Sequence, residues 1–221
     1  KDILSYQKEY AGYRNDYIEA TKLTNHDEDR AASKLGKSAD KCKLAAAMLL
    51  TAAGSPYIYY GEELGLYGTK SNGDEYVRAP MLWGDNYVTK YTDKIDKNMA
   101  SSIKSADKQK EDSKSLLNTY LMFTQLRNTY PALAEGKMEK HPVYNESKEK
   151  DFVSIAAWYM VKDNEKLLVI HNLKGSAVEL PLTDKVEKTV AVLGNVQQKE
   201  ENGNVTFKMG TYSSLVLKIA K

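Results

Sequence analysis

A single cysteine, Cys42, is all the thiol chemistry in this 221-residue chain. No intrachain disulfide can form, so no cysteine framework reports a redox compartment. Cys42 sits inside an apolar helical pattern and reads as a small buried core residue. An excess of one charge is missing too. The 32 Lys and Arg face 30 Asp and Glu, a formal +2, too weak a field to gather nucleic acid or an anionic membrane surface. The partner expected is a neutral molecule. No run of about 18 apolar residues could cross a bilayer as a helix, so no transmembrane segment is expected. The N-terminus lacks the basic stretch, apolar block and cleavage site of a leader. It opens on Lys1 rather than methionine, which suggests a processed or partial polypeptide.

Several reaction classes lack their motifs. There is no His-Glu-x-x-His, Cys-x-x-Cys, Gly-x-Ser-x-Gly or Gly-x-Gly-x-x-Gly, so zinc, redox and acyl-transfer chemistry fall away. Gly36-Lys37-Ser38 mimics the end of a phosphate-binding loop, but Ala31 stands where that loop needs glycine and no strand precedes it. Residues 104–114 mix charges without aromatics and read as a solvated face, not a nucleic-acid interface.

What remains is a globular composition, 42% hydrophobic, long enough for one large domain or two small ones. Residues 3–13 space apolar side chains as a helix, and 17–23 read as a short strand. From Ser38, a candidate N-cap, Cys42, Ala45, Ala46, Met48, Leu49, Ala52 and Ala53 recur at helical spacing until Gly54 and Pro56. Residues 57–60 form a β-prone run expected to be buried. Gly61 then opens a polar excursion over 61–112, too long for an idle connection. A second amphipathic helix over 116–127 stops at Pro131. Past Gly136 the period becomes alternating over 152–161, 166–172, 177–182, 188–193, 204–209 and 212–219, with turn residues between, the pattern of a small antiparallel sandwich. The fold class expected is therefore α/β, then all-β. Two strands cannot bury both faces of a parallel sheet, so further segments are expected upstream.

The cluster most charged with chemistry is Asn25-His26-Asp27-Glu28-Asp29-Arg30, directly after the first strand, where parallel α/β folds keep their sites. Asn, Asp and His also cap helices and shape loops, and on these residues alone the two readings stand level. Glu62 and Glu63, adjacent in a segment read as extended, point to opposite sides and are expected to be structural.

Four stretches, in order, resemble the α-amylase family of glycoside hydrolases (family 13 type). Residues 23–30 (LTNHDEDR) resemble its segment at the end of barrel strand seven, and 54–63 (GSPYIYYGEE) its strand-eight motif. Residues 74–83 (DEYVRAPMLW) are similar to the loop that follows, and 126–136 (LRNTYPALAEG) to the exit from the last barrel helix. The flavour is that of starch- and maltooligosaccharide-degrading amylases and neopullulanases, including surface starch-utilisation amylases of gut Bacteroidetes.

The resemblance implies that residues 1–136 carry strands seven and eight, with their helices, of a TIM (β/α)₈ barrel, and that 137–221 form a C-terminal β-sandwich. It implies cleavage of α-1,4-glucosidic bonds with retention, through a nucleophile and an acid that both precede Lys1. Asp27 becomes the third catalytic carboxylate, bonding the 2- and 3-hydroxyls of the sugar being cleaved, and His26 holds the same hydroxyls. Asn25 lies beside the sugar and shapes the turn. Asp74 and Arg78 hold a glucose unit toward the non-reducing end. Tyr76, with Tyr67 and Tyr87, lies in the site loop. Trp83 packs that loop, and Arg30 is a local ion-pair partner. The calcium ligands of many relatives also lie upstream, so no metal or cofactor is assigned to this chain. Its partners are a starch-like glucan and the missing barrel segments, and its place is extracellular or at the cell surface, where polymeric starch is met. The chain alone is expected to be inactive. The other class of reading makes it a non-catalytic glucan-binding or barrel-complementing fragment.

Overall fold

The computed structural model describes residues 3–14, 16–84, 99–144 and 152–220. Two compact units divide it. One takes Lys1–Ala20, Leu50–Ser55 and Gln125–Lys221; the other takes Thr21–Leu49 and Pro56–Thr124.

In chain order come α1 (Ile3–Ala11), β1 (Ala20–Lys22), α2 (Ala31–Lys34), α3 (Ala39–Thr51), β2 (Ser55–Tyr57), α4 (Asp74–Val77), α5 (Met99–Ser102), α6 (Ala106–Glu111), α7 (Leu116–Thr129) and α8 (Pro131–Glu135). β1 and β2 form a two-stranded sheet. Ser38 caps α3 as its residue type demands: its Oγ accepts a bond from Lys41 N at 3.4 Å, and Asp40 lies in the positive first turn. Cys42 is buried there, and burial pushes its thiol pKa up to about 11.

Three expectations change. The run 57–60 is not a buried strand. The strand sits at 55–57, and Tyr57, Ile58 and Tyr60 are 63%, 40% and 41% exposed, because a sheet face is buried only where another layer packs on it. Glu62 and Glu63 lie in a 3₁₀ turn (Glu62–Leu64) rather than in extended chain, where Gly61 at φ +79° makes the sharp entry. Finally, 104–114 is not merely solvated. α6 buries Ala106 and Gln109, and Gln109 Nε2 donates to Leu64 O (3.0 Å) and Lys104 O (2.9 Å) while its Oε1 accepts from Leu117 N (3.2 Å). A polar side chain is buried when its bonds are met, which charge counting does not reveal.

The rest of the chain is β: β3 (Lys137–Lys140), β4 (Ile155–Lys162), β5 (Glu165–Asn172), β6 (Val178–Leu182), β7 (Val186–Leu193), β8 (Val196–Glu201), β9 (Asn204–Met209) and β10 (Ser213–Ile219). One sheet runs β3-β4-β5-β10-β7, the other β6-β9-β8, and the paired strands are antiparallel. Leu168, Ile170, Leu215 and Leu217 of the first share one core with Leu180 and Phe207 of the second. β3 and β8 escape the alternation rule because their sequences, KMEK and VQQKEE, are edge strands with mostly exposed, charged side chains.

This unit is tied together by buried polar groups. His171, fully buried, has Nδ1 2.7 Å from Ser214 Oγ and Nε2 3.3 Å from Thr51 Oγ1. The Trp158 indole lies beside it and donates to Thr51 O at 3.2 Å. Arg127 spends its guanidinium on carbonyls: Leu50 O (3.1 Å), Ala52 O (2.8 Å), Ala134 O (3.3 Å) and Gly54 O.

Candidate active site

The loop between β1 and α2 carries the predicted cluster. Asn25 Oδ1 accepts a bond from Asp27 N at 2.9 Å, a local turn that leaves the Asp27 carboxylate half-exposed. His26 Nε2 stands 3.0 Å from Asp27 Oδ2. The other oxygen, Oδ1, takes Arg78 Nη2 at 3.0 Å and Lys70 Nζ at 3.3 Å. Both cations also reach Asp74: Arg78 Nη2 is 2.9 Å from Oδ2, and Lys70 bonds Oδ1. Arg78 Nε donates to His26 O at 3.3 Å. The fold thus brings Asp27, His26, Asp74 and Arg78 into one patch, with Asn25 shaping it. Tyr76 is half-buried on α4 between Asp74 and Arg78.

Lys70 was not foreseen. Its only trace in the sequence is the spacing Lys70-x₃-Asp74-x₃-Arg78, one helical turn each time, although Gly73 at φ +123° breaks any helix between them. Its ammonium is the first cause that holds the Asp27 carboxyl below the ordinary carboxylate range, with His26 and Arg78 adding to it. Asp74 is lowered by Lys70 first, then Arg78.

Beneath the patch the loop is anchored by buried groups. Glu62 accepts from Thr24 Oγ1 at 3.0 Å and from Tyr120 Oη at 2.7 Å. Burial raises its pKa, against the pull of those two bonds. Asp29 Oδ1 accepts from Lys70 N at 2.7 Å, and Arg30 N donates to Gly68 O at 3.0 Å.

Two side chains differ from expectation. Among the described residues Arg30 forms no ion pair. It is 1% exposed, donates to Val77 O (2.9 Å) and Tyr60 O (2.7 Å), and lies 4.5 Å over the Tyr59 ring. Its planar fork suits carbonyls and aromatic faces as well as carboxylates. Tyr67 is buried, 3.2 Å from Ser102 Oγ and under Lys37 Nζ. Trp83 is 57% exposed, and its carbonyl accepts from Asp107 N at 3.1 Å. Tyr87 lies outside the described residues.

Chemically, Asp27 is a carboxylate held ionised and half-exposed, with Oδ2 facing only a histidine among the described residues. It suits accepting hydroxyl bonds and facing positive charge, and it is ill suited to giving up a proton. Among the described residues no group of three His, Cys, Asp or Glu side chains could hold a metal ion, and no helix is long and apolar enough to cross a membrane.

Comparison with known proteins identifies the family. Residues 2–136 match the α-amylase catalytic domain and 155–216 the C-terminal domain of the α-amylase SusG. The chain is 68% identical to "Alpha-amylase SusG" of Bacteroides thetaiotaomicron over 219 residues, 99% of this chain and 32% of that protein. It is 32% identical to "Alpha-amylase 3" of Dictyoglomus thermophilum, across 99% of this chain and 42% of that one. Among solved structures, an α-amylase from H. orenii superposes with a TM-score of 0.78 at 26% identity, covering 97% of this chain and 43% of that one. The chain thus spans between about a third and under half of these relatives. Its α/β part is a segment of their TIM barrel, followed by antiparallel sheets. With the catalytic-domain match covering well over half of its residues, the chain belongs to the α-amylase family.

Proposed function

We propose that this chain is a working part of a glycoside hydrolase that cleaves α-1,4-glucosidic bonds of starch and maltooligosaccharides with retention. Residues 1–136 form the end of its catalytic barrel and 137–221 its C-terminal β domain. The observation that carries this is Asp27: half-exposed, kept ionised by Lys70 and Arg78, and set beside His26. Such a group bonds the 2- and 3-hydroxyls of the sugar and grows stronger as positive charge develops on the distorted ring. Asp74 and Arg78 hold the next glucose units toward the non-reducing end, with Asn25 and Tyr76 lining the same site.

Retaining hydrolysis needs two carboxyl groups about 5–5.5 Å apart. In this reading they belong to barrel segments outside residues 1–221, which are the chain's first partner; the glucan is the second. Polymeric starch is met outside the cell, so the enzyme works extracellularly or at the cell surface. The likeness to the α-amylase SusG supports the α-amylase part of that reading.

The test starts from the polypeptide as its source makes it. Its intact mass and the peptides upstream of Lys1 are measured, and release of reducing ends from maltoheptaose is compared for wild type and Asp27→Asn. The expected result is an upstream Arg-x-Asp segment and a strand-end glutamate, with turnover in Asp27→Asn reduced at least 100-fold, roughly the loss from one transition-state contact. A mass equal to residues 1–221 alone, without hydrolysis, would move the assignment to a barrel-complementing or glucan-binding fragment.

A further inference from the structure

Lys70 and Arg78 bridge the same two carboxylates, Asp27 and Asp74, and close a ring of two negative and two positive charges. The two cations differ in kind. The guanidinium is planar and also fixed to His26 O, whereas an ammonium is a compact charge with three rotatable donors on a flexible stem. Two of those donors serve Asp27 and Asp74. The third can meet a hydroxyl without releasing either carboxylate. The Lys70 backbone is held in turn, since its N–H donates to Asp29 Oδ1 at 2.7 Å, within the loop that bears Asp27.

On the reading that Asp27 and Asp74 hold different glucose units, we infer that Lys70 is a positioning residue that couples those two subsites. A glucose engaged at Asp74 draws that carboxylate and its ammonium into a fixed arrangement, which sets Asp27 Oδ1 and leaves Oδ2 and His26 for the sugar at the cleavage point. Long chains fill both positions and gain from the coupling. Short chains that miss Asp74 do not. Removing Lys70 leaves two carboxylates sharing Arg78, with net charge −1 and mutual repulsion.

The experiment uses the complete enzyme with maltoheptaose and maltotriose, in wild type, Lys70→Met, Lys70→Arg and Asp27→Asn. Thermal unfolding confirms that each variant folds. Couplings between sites are commonly 5–150-fold, so the ratio of kcat/KM for maltoheptaose to that for maltotriose should fall about tenfold in Lys70→Met. The loss should appear mainly in KM of the long substrate, and Lys70→Arg should recover most of it. An unchanged ratio overturns the coupling, whether both substrates are unaffected or both lose equally. Retention of full activity by Asp27→Asn is a separate outcome that removes the underlying sugar-site reading and this inference with it.

Discussion

His171 should make the antiparallel unit sensitive to acid in a calculable way. Complete burial depresses its pKa to about 3, from an ordinary value near 6.5. Between those values the unfolded chain binds a proton that the folded chain refuses, so stability falls as pH drops through that window. From pH 7.5 to 5 the single group costs about 2 kcal/mol, which lowers the unfolding temperature by roughly 4–8 °C for a chain of this size. The control is His171→Gln, which can still bond the Thr51 and Ser214 hydroxyls but does not titrate. The variant should be less stable at pH 7.5, yet its stability should depend less on pH. Carboxylates lowered by ion pairs, such as Asp27 and Asp112, and the buried His141 titrate in both proteins and cancel in the difference. The assay is urea unfolding at pH 7.5, 6.5, 5.5 and 5.0. A wild-type-minus-variant difference flat within about 0.5 kcal/mol across that series would refute the argument.

Other outcomes follow from named contacts. Arg127→Met should destabilise by at least about 3 kcal/mol, because several carbonyls lose a charged donor at once; denaturant midpoints measure it. Gly203→Ala, with open space around the added carbon but φ +78°, should cost only about 1 kcal/mol of backbone strain. Gly68→Ala would set a carbon 1.8 Å from Tyr76 O. It should shift α4 with Asp74 and Arg78, and lower both the melting temperature and sugar affinity. Cys42, buried with its thiol pKa pushed up to about 11, should resist iodoacetamide at pH 8 in the native protein and react promptly in urea.

Legibility followed the physics of each signal. α3 and α7 are readable because apolar residues return every three or four positions, β6 and β9 because theirs alternate, and β4, β5 and β10 because a short continuous apolar run between turn residues reads as a strand buried on both faces. β8 is not, since an edge strand of charged residues has no buried face to leave a pattern. Asp27, His26, Asp74 and Arg78 were named from likeness of short motifs, and the fold gathers them into one patch. Lys70 escaped because its partners lie 43 residues back and four ahead, and a lone lysine in a polar loop carries no distinguishing pattern. Arg30 differs from its reading for a related reason: charge suggests a carboxylate partner, but its Nε and Nη1 donate to carbonyls that sequence does not display. Glu62 was rightly read as structural although its local conformation was not. Adjacent glutamates after a strand look extended until Gly61 turns the chain.

The compact unit that holds the antiparallel sheets also claims Leu50–Ser55 and the stretch from Gln125. Thr51 supplies bonds to His171 and Trp158, Arg127 gathers the carbonyls of residues 50 to 54, and Glu165 of β5 accepts from Ala132 N at 2.7 Å. A recombination event that cut at residue 137 would carry away the strands and strand their buried partners in the donor gene. The two regions are therefore bound to be inherited together, and a chimaera that keeps the junction native from residue 50 onward is the one that should express in folded form.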